Sequence, residues 1–326
     1  MRKISLAFMA VAISMNVCAE EMPEGYYNNI DGKKDKTLKS AIRAAIRSHT
    51  AIPYGSGKGN TWEVFYYSDR DPVTGECMDM YCDDWSVISS PGQVASGCNI
   101  EHSFAKSWWG GSKNTDAYKD CYHLNPSNAT ANSARSNYPL GVPTKEIITS
   151  GTGSLKVGKA TYNGQTFWVF EPKDEYKGDF ARAYFYMATC YGDELTWEKK
   201  NSGIGSYYAM RPSNDANEYL EFMDWEIEIL LQWHRQDPVS EKELNRMDAV
   251  SDFQHNRNPY IDYPELVEYI WGNKKGQTLD LASLTRTTGI DDVFVGAKPE
   301  VAKLLVNGRL VIRKDGILYD LSGRRE

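Results

Sequence analysis

Apolar residues recur at helical spacing along much of the chain. Between Thr37 and His49, Leu38, Ile42 and Ile46 mark one stripe of a helix. Phe180, Ala183, Tyr184, Met187, Ala188 and Tyr191 mark a second helix, with Asp179 placed to cap its start and Gly192 to stop it. From Glu218 to Arg235, Phe222, Trp225, Ile229 and Trp233 share one face, and the pattern ends ahead of Asp237-Pro238. Ser240 and Glu243 then form a capping box for a further helix, which stops before Asn258-Pro259. Strand signals are fewer. TWEVFYY, from Thr61 to Tyr67, is rich in aromatic and β-branched residues and predicts a strand. Phe167 to Phe170 predicts a short apolar strand, Gly141 to Gly164 turns and short strands, and Ser89 to Ser96 a loop.

The pattern changes at both ends. Lys274 to Thr288 is polar and reads as a linker. Beyond it, Asn307-Gly308 and Asp315-Gly316 sit between apolar runs, a hairpin signature that predicts a three-stranded β-meander too small to be stable alone. At the other end, Arg2 and Lys3 precede a short apolar run from Leu6 to Val17 and the small residues before Glu20, which predicts an export signal peptide. That run is too short to span a bilayer, and no later segment reaches spanning length. The expected organisation is a signal peptide over 1–19, a main α+β domain over 20–273, a linker over 274–299 and a C-terminal β tail over 300–326.

Composition narrows the function classes. The chain has 326 residues, 41% hydrophobic and 25% charged, so a large core is expected. A net charge of -7 speaks against a generally basic nucleic-acid binder; any such role needs a local basic cleft. Of six cysteines, Cys18 falls in the leader, leaving Cys77, Cys82, Cys98, Cys121 and Cys190. Export predicts disulfides, with Cys77–Cys82 or Cys98–Cys121 as candidate partners and one thiol left over. Neither CxxC nor HExxH is present to suggest zinc.

The candidate chemistry lies in two stretches. "GCNIEHSFAKSWWGG" sets Glu101 beside His102, an adjacent charged pair that a buried strand should not tolerate without a use for it. "DCYHLNPSNATANSARSNYPLG" carries His123, Asn132, Arg135 and Asn137, with alanines that support a short helix. A neutral His is a general base near pH 7. A Glu carboxylate and an Asn carbonyl are hard oxygen donors for Mg²⁺ or Ca²⁺, and Arg or Lys stabilises phosphate charge. Together these are the groups that phosphodiester hydrolysis needs: His102 as base, and a cation at Glu101 and Asn132. Adjacent residues can serve one site where a strand ends and the chain turns. Trp108 and Trp109 are candidates either for base stacking or for the core.

With "FEPKDEYKGDFARAYFYMATCY" and "QHNRNPYIDYPELVEYIWG", these stretches form four ordered motifs, and the chain from Tyr27 to Gly272 resembles the endonuclease I family of exported bacterial nucleases. The resemblance implies mixed helices around a small central sheet carrying a ββα-metal (His-Me finger) active site. It implies His102 as general base, and Glu101 and Asn132 as ligands of one divalent cation, Mg²⁺ foremost with Ca²⁺ or Mn²⁺ as alternatives. Lys113 is the expected stand-in for a product-phosphate Arg, Arg135 a phosphate contact or a carboxylate partner, and His123 and Asn137 residues supporting the site. Asp179 and Arg182 read as a helix cap and salt bridge. The implied partner is the sugar-phosphate backbone of DNA or RNA, and the implied location periplasmic, cell-surface or extracellular. Alternatives are an extracellular binding module with a degenerate nuclease site, or a phosphodiesterase acting on another substrate. "ILYDLSGRR" resembles sorting tails of exported bacterial proteins.

Overall fold

A computed structural model describes residues 22–83, 86–150, 155–198 and 202–287, and the backbone of three strands between 301 and 319. The expected signal peptide, most of the second half of the linker and both tail turns lie outside the described residues. Two helices come first, α1 (Asp35–Ile46) and α2 (Thr61–Ser68). A two-stranded antiparallel sheet, β1 (Cys98–His102) with β2 (Leu124–Asn128), runs directly into α3 (Ala129–Arg135). A three-stranded antiparallel sheet follows, β3 (Lys145–Ser150), β4 (Leu155–Tyr162) and β5 (Gln165–Glu171). The remainder is helical: α4 (Lys177–Tyr191), α5 (Ser206–Ala209), α6 (Asp224–Gln236), α7 (Glu241–Gln254), α8 (Pro259–Asp262) and α9 (Leu266–Ile270). In the tail, β6 (Val301–Val306), β7 (Arg309–Lys314) and β8 (Ile317–Tyr319) pair antiparallel in chain order. No described helix is long and apolar enough to cross a membrane.

The core is built around α4. All fifteen of its residues are buried, so its apolar stripe is only the most obvious part of a helix enclosed on every side, chiefly by α1 and α6. Its expected cap differs. Asp179 lies in the first turn, and the Gly178 N–H is satisfied from another segment by Asp237 Oδ2 at 2.8 Å. Asp179 pairs instead with Arg182 at 3.4 Å, while the main partner of Arg182 is Glu243, gripped by two nitrogens at 2.7 and 2.6 Å. Ser240 caps α7 as expected, accepting from the Glu243 N–H at 3.2 Å.

Two elements depart from the expected pattern. Thr61–Tyr67 is a helix, not a strand. Its apolar residues run on without alternation, and the rings of Trp62 and Phe65 meet one helical turn apart at 5.3 Å. Packing of this face on α7 outweighs β-propensity. The helix expected from Glu218 begins only at Asp224. Glu221 adopts φ +64° and is held by Lys39 Nζ at 3.0 Å and Trp197 Nε1 at 2.8 Å. Those distant partners draw the backbone out of helical geometry, leaving a 3₁₀ turn at Glu218–Leu220.

Candidate active site

The hairpin and helix at 98–135 place the chemistry. β1 pairs with β2 so that Glu101 faces Asn125 and His102 faces Leu124. Asn128 then caps α3, its Oδ1 accepting from the N–H groups of Thr130 at 2.9 Å and Ala131 at 3.2 Å. The helix returns across the strands and carries Asn132 to the same cavity as Glu101 and His102, a cleft of about 430 Å³ also lined by Tyr54, Lys106 and Ser107.

His102 is nearly buried. Its Nε2 lies 3.1 Å from the carbonyl of Tyr118. A carbonyl only accepts, so Nε2 carries the proton and Nδ1 is left as the basic nitrogen. Burial, and then the neighbouring His123 and Lys106, push the imidazole well below its ordinary pKa, which keeps it neutral at pH 7. Tyr54 stacks on the ring at 5.4 Å and fixes its plane.

Glu101 is also buried. Its Oε1 accepts from Tyr81 OH at 3.0 Å and its Oε2 from the His102 N–H at 2.9 Å. Burial raises its pKa; Arg135 and these hydrogen bonds oppose that. The amide nitrogen of Asn132 donates to Asn99 Oδ1 at 2.7 Å, which turns its carbonyl oxygen into the available donor. A carboxylate and an amide carbonyl on one open cleft, with room for water, fit a hard divalent cation.

Arg135 also lines the cleft. It is 1% exposed. Its guanidinium meets Glu101 Oε1 at 3.3 Å, Tyr184 OH at 3.1 Å, the Ser136 carbonyl at 3.2 Å and the carbonyls of His102 and Ser103. In this arrangement it pairs with the Glu101 carboxylate from the wall of the cleft. Lys113 is exposed and is not among the residues lining the cleft. Lys106, four residues beyond His102, lines it instead. The sequence offered a signal, since Lys106 sits inside the Glu-His motif; Tyr54 and Tyr81 come from loops with no such signal.

His123 is fully buried behind His102, with ring centres 5.4 Å apart, and its Nε2 donates to the Ala117 carbonyl at 2.7 Å. Asn137 lines the cleft, and its carbonyl accepts from Trp108 Nε1 at 2.9 Å. Trp108 and Trp109 are buried and belong to the core. No disulfide is seen among the described cysteines. Cys77 hydrogen-bonds with Cys98, and Cys82 turns to Asp79 at 3.3 Å, so neither expected pairing matches the arrangement.

Outside the cleft, His49, Asp120 and Cys190 bring metal-type donor atoms within 4.8 Å of one another. Asp120 is already held there by Tyr186 OH and Tyr191 OH, each at 2.7 Å, and by Gln254 Nε2 at 3.1 Å. Burial raises its carboxyl, but His49, His123, the Tyr191 hydroxyl and the Tyr122 N–H draw it below its ordinary range. It serves as a hydrogen-bonded hub joining α4 to α7.

Comparison with known proteins agrees with the geometry. The chain is 32% identical over 252 residues to an extracellular ribonuclease of Bacillus amyloliquefaciens, covering 76% of this chain and 78% of the relative. It is 31% identical over 255 residues to an extracellular ribonuclease of Bacillus subtilis (strain 168), with 76% and 78% covered. The sequence profile of endonuclease I matches residues 34–265, which hold the hairpin, α3 and every residue of the cleft. The chain therefore belongs to the endonuclease I family and is a nuclease.

Proposed function

We propose that the protein is a secreted, divalent-cation-dependent endonuclease that cleaves RNA or DNA without sequence preference. The observation that carries this reading is the tautomer of His102: its Nε2 is tied to Tyr118 O, and its ring lies on one cleft with Glu101 and Asn132. Nδ1 of His102 takes a proton from water as the water oxygen attacks phosphorus, and the 3′ oxygen departs from the opposite side. Glu101 and Asn132 would hold the cation, which when bound supplies charge neutralisation at the phosphate and leaving oxygen. Arg135 and Tyr81 keep the Glu101 carboxylate in place, and Lys106 offers a point charge to the phosphate. In this reading β1, β2 and α3 are the ββα-metal motif. Both curated relatives are extracellular by name, which supports export. The nuclease domain would span 20–273, with the linker and β tail outside it.

The test compares nicking of plasmid DNA and degradation of RNA in Mg²⁺ and in EDTA, for the wild type and for His102→Ala. Loss of the base should lower the rate ~10²–10⁴-fold without changing the melting temperature in EDTA. Near-wild-type cleavage by the variant would remove His102 from the chemistry. Cleavage undiminished in EDTA would remove the cation.

A further inference from the structure

A second cavity, of about 160 Å³, adjoins the catalytic cleft. The two meet along consecutive residues: Asn137 lines the cleft, and Tyr138 lines the second cavity. The seam is tight at Gly205, where an added Cβ would come within 2.3 Å of the Asn137 carbonyl and 2.9 Å of Trp108 Nε1. On the floor of the second cavity the half-buried rings of Tyr138 and Trp168 are stacked, 5.7 Å apart and 21° from parallel. Strand register extends this platform sideways. Trp168 is the cross-strand partner of Lys159, and Lys159 is the cross-strand partner of Lys145. All three side chains therefore stand in one row on one face of the sheet.

That row is an odd one for a protein with a net charge of -7. Two lysines directly opposite each other repel. Lys159 Nζ lies 5.4 Å from the Trp168 ring centre and within 2.9 Å of Glu146, a single and largely exposed carboxylate for two cations. Planar rings that can take a base, flanked by cations that can take a phosphate, alternate as a single strand of nucleic acid does.

We propose that Tyr138, Trp168, Lys159 and Lys145 form a track for single-stranded nucleic acid leading from the scissile phosphate. A base a short way from the cut stacks on the Tyr138–Trp168 pair, and the next backbone phosphate bridges the two lysines. A duplex, whose bases are already stacked on each other, gains nothing from the platform. The track would make the enzyme prefer unpaired strands while leaving it indifferent to base identity, since every base has a π-face. This inference rests on the nuclease reading of the cleft.

The experiment separates the two. In the His102→Ala background and without divalent cations, binding of a fluorescein-labelled single-stranded RNA of about 12 nucleotides, within the usual span of such sites, is followed by anisotropy. Adding Trp168→Ala should weaken binding about 5- to 150-fold, whereas Trp168→Phe should restore most of the affinity. Lys145→Gln with Lys159→Gln should lower the salt slope by about 0.7, the value for one phosphate contact on a single strand. With the otherwise wild-type enzyme, Trp168→Ala should raise KM for the RNA of that length and leave cleavage of a dinucleotide unchanged. Unaltered affinity in Trp168→Ala, or an equal loss with a base-paired duplex of the same length, would overturn the track. A wild-type enzyme inactive on every nucleic acid with Mg²⁺ would instead overturn the nuclease reading, and the binding result would stand by itself.

Discussion

Replacing Arg135 with methionine tests whether the arginine braces Glu101 or grips substrate. The substitution keeps roughly the length of the side chain and removes the charge. In the native structure the guanidinium lies 3.3 Å from Glu101 Oε1, and it also donates to Tyr184 OH and to the carbonyls of residues 102, 103 and 136. Both partners of the ion pair are buried, with side-chain exposures of 1% and 7%. Removing one member leaves an uncompensated buried carboxylate and several unmet carbonyls, a loss that typically costs ~3–5 kcal/mol. For a domain of this size each kcal/mol lowers the melting temperature by ~2–4 °C. Scanning calorimetry in EDTA should therefore show Arg135→Met melting ~6–20 °C below the wild type. Adding Glu101→Gln should recover part of that loss, because the orphaned charge is then gone. A variant that melts within ~2 °C of the wild type, below one kcal/mol, and shows a raised KM with kcat intact would refute the reasoning and return Arg135 to the phosphate.

Two further outcomes follow from a cleft lysine and a buried carboxyl. Lys106→Gln should raise KM and lower the salt dependence of KM by about one phosphate contact, while Lys113→Gln should leave both unchanged; the reverse result in steady-state kinetics would reinstate Lys113. Glu226 on α6 is fully buried with neither carboxylate oxygen hydrogen-bonded to a side chain, and burial lifts its pKa well above the usual carboxylate range. A carboxyl whose folded pKa is raised contributes most stability below its unfolded pKa and loses it as pH rises toward the folded value, by ~1.4 kcal/mol per pH unit. Glu226→Gln should thus gain in melting temperature relative to the wild type as pH increases from 5 to 8; a difference that is flat with pH would mean the native carboxylate is compensated.

The linear sequence carried the family, the residues that meet at the cleft and most of the helices. Glu101, His102 and Asn132 could be read as one group because a hairpin followed by a helix brings together residues within one local stretch of chain. α4 and α7 were legible because burial stamps a 3.6-residue period on any helix that faces a core. Partners far apart in sequence were decided by packing alone. Arg135 reads the same whether it meets a phosphate or a carboxylate; it is the fold that sets Tyr184 and Glu101 against its guanidinium. Lys106 rather than Lys113 faces the cleft because the 3₁₀ turn at Lys106–Trp109 buries both tryptophans in the core and leaves Lys106 at the edge. TWEVFYY becomes a helix because α7 offers an apolar face to cover, and Glu221 breaks a helix because Lys39 and Trp197 hold it from elsewhere. Local pattern reports what a segment must bury, but which neighbour buries it is a property of the whole chain, and short elements take the conformation that satisfies that neighbour.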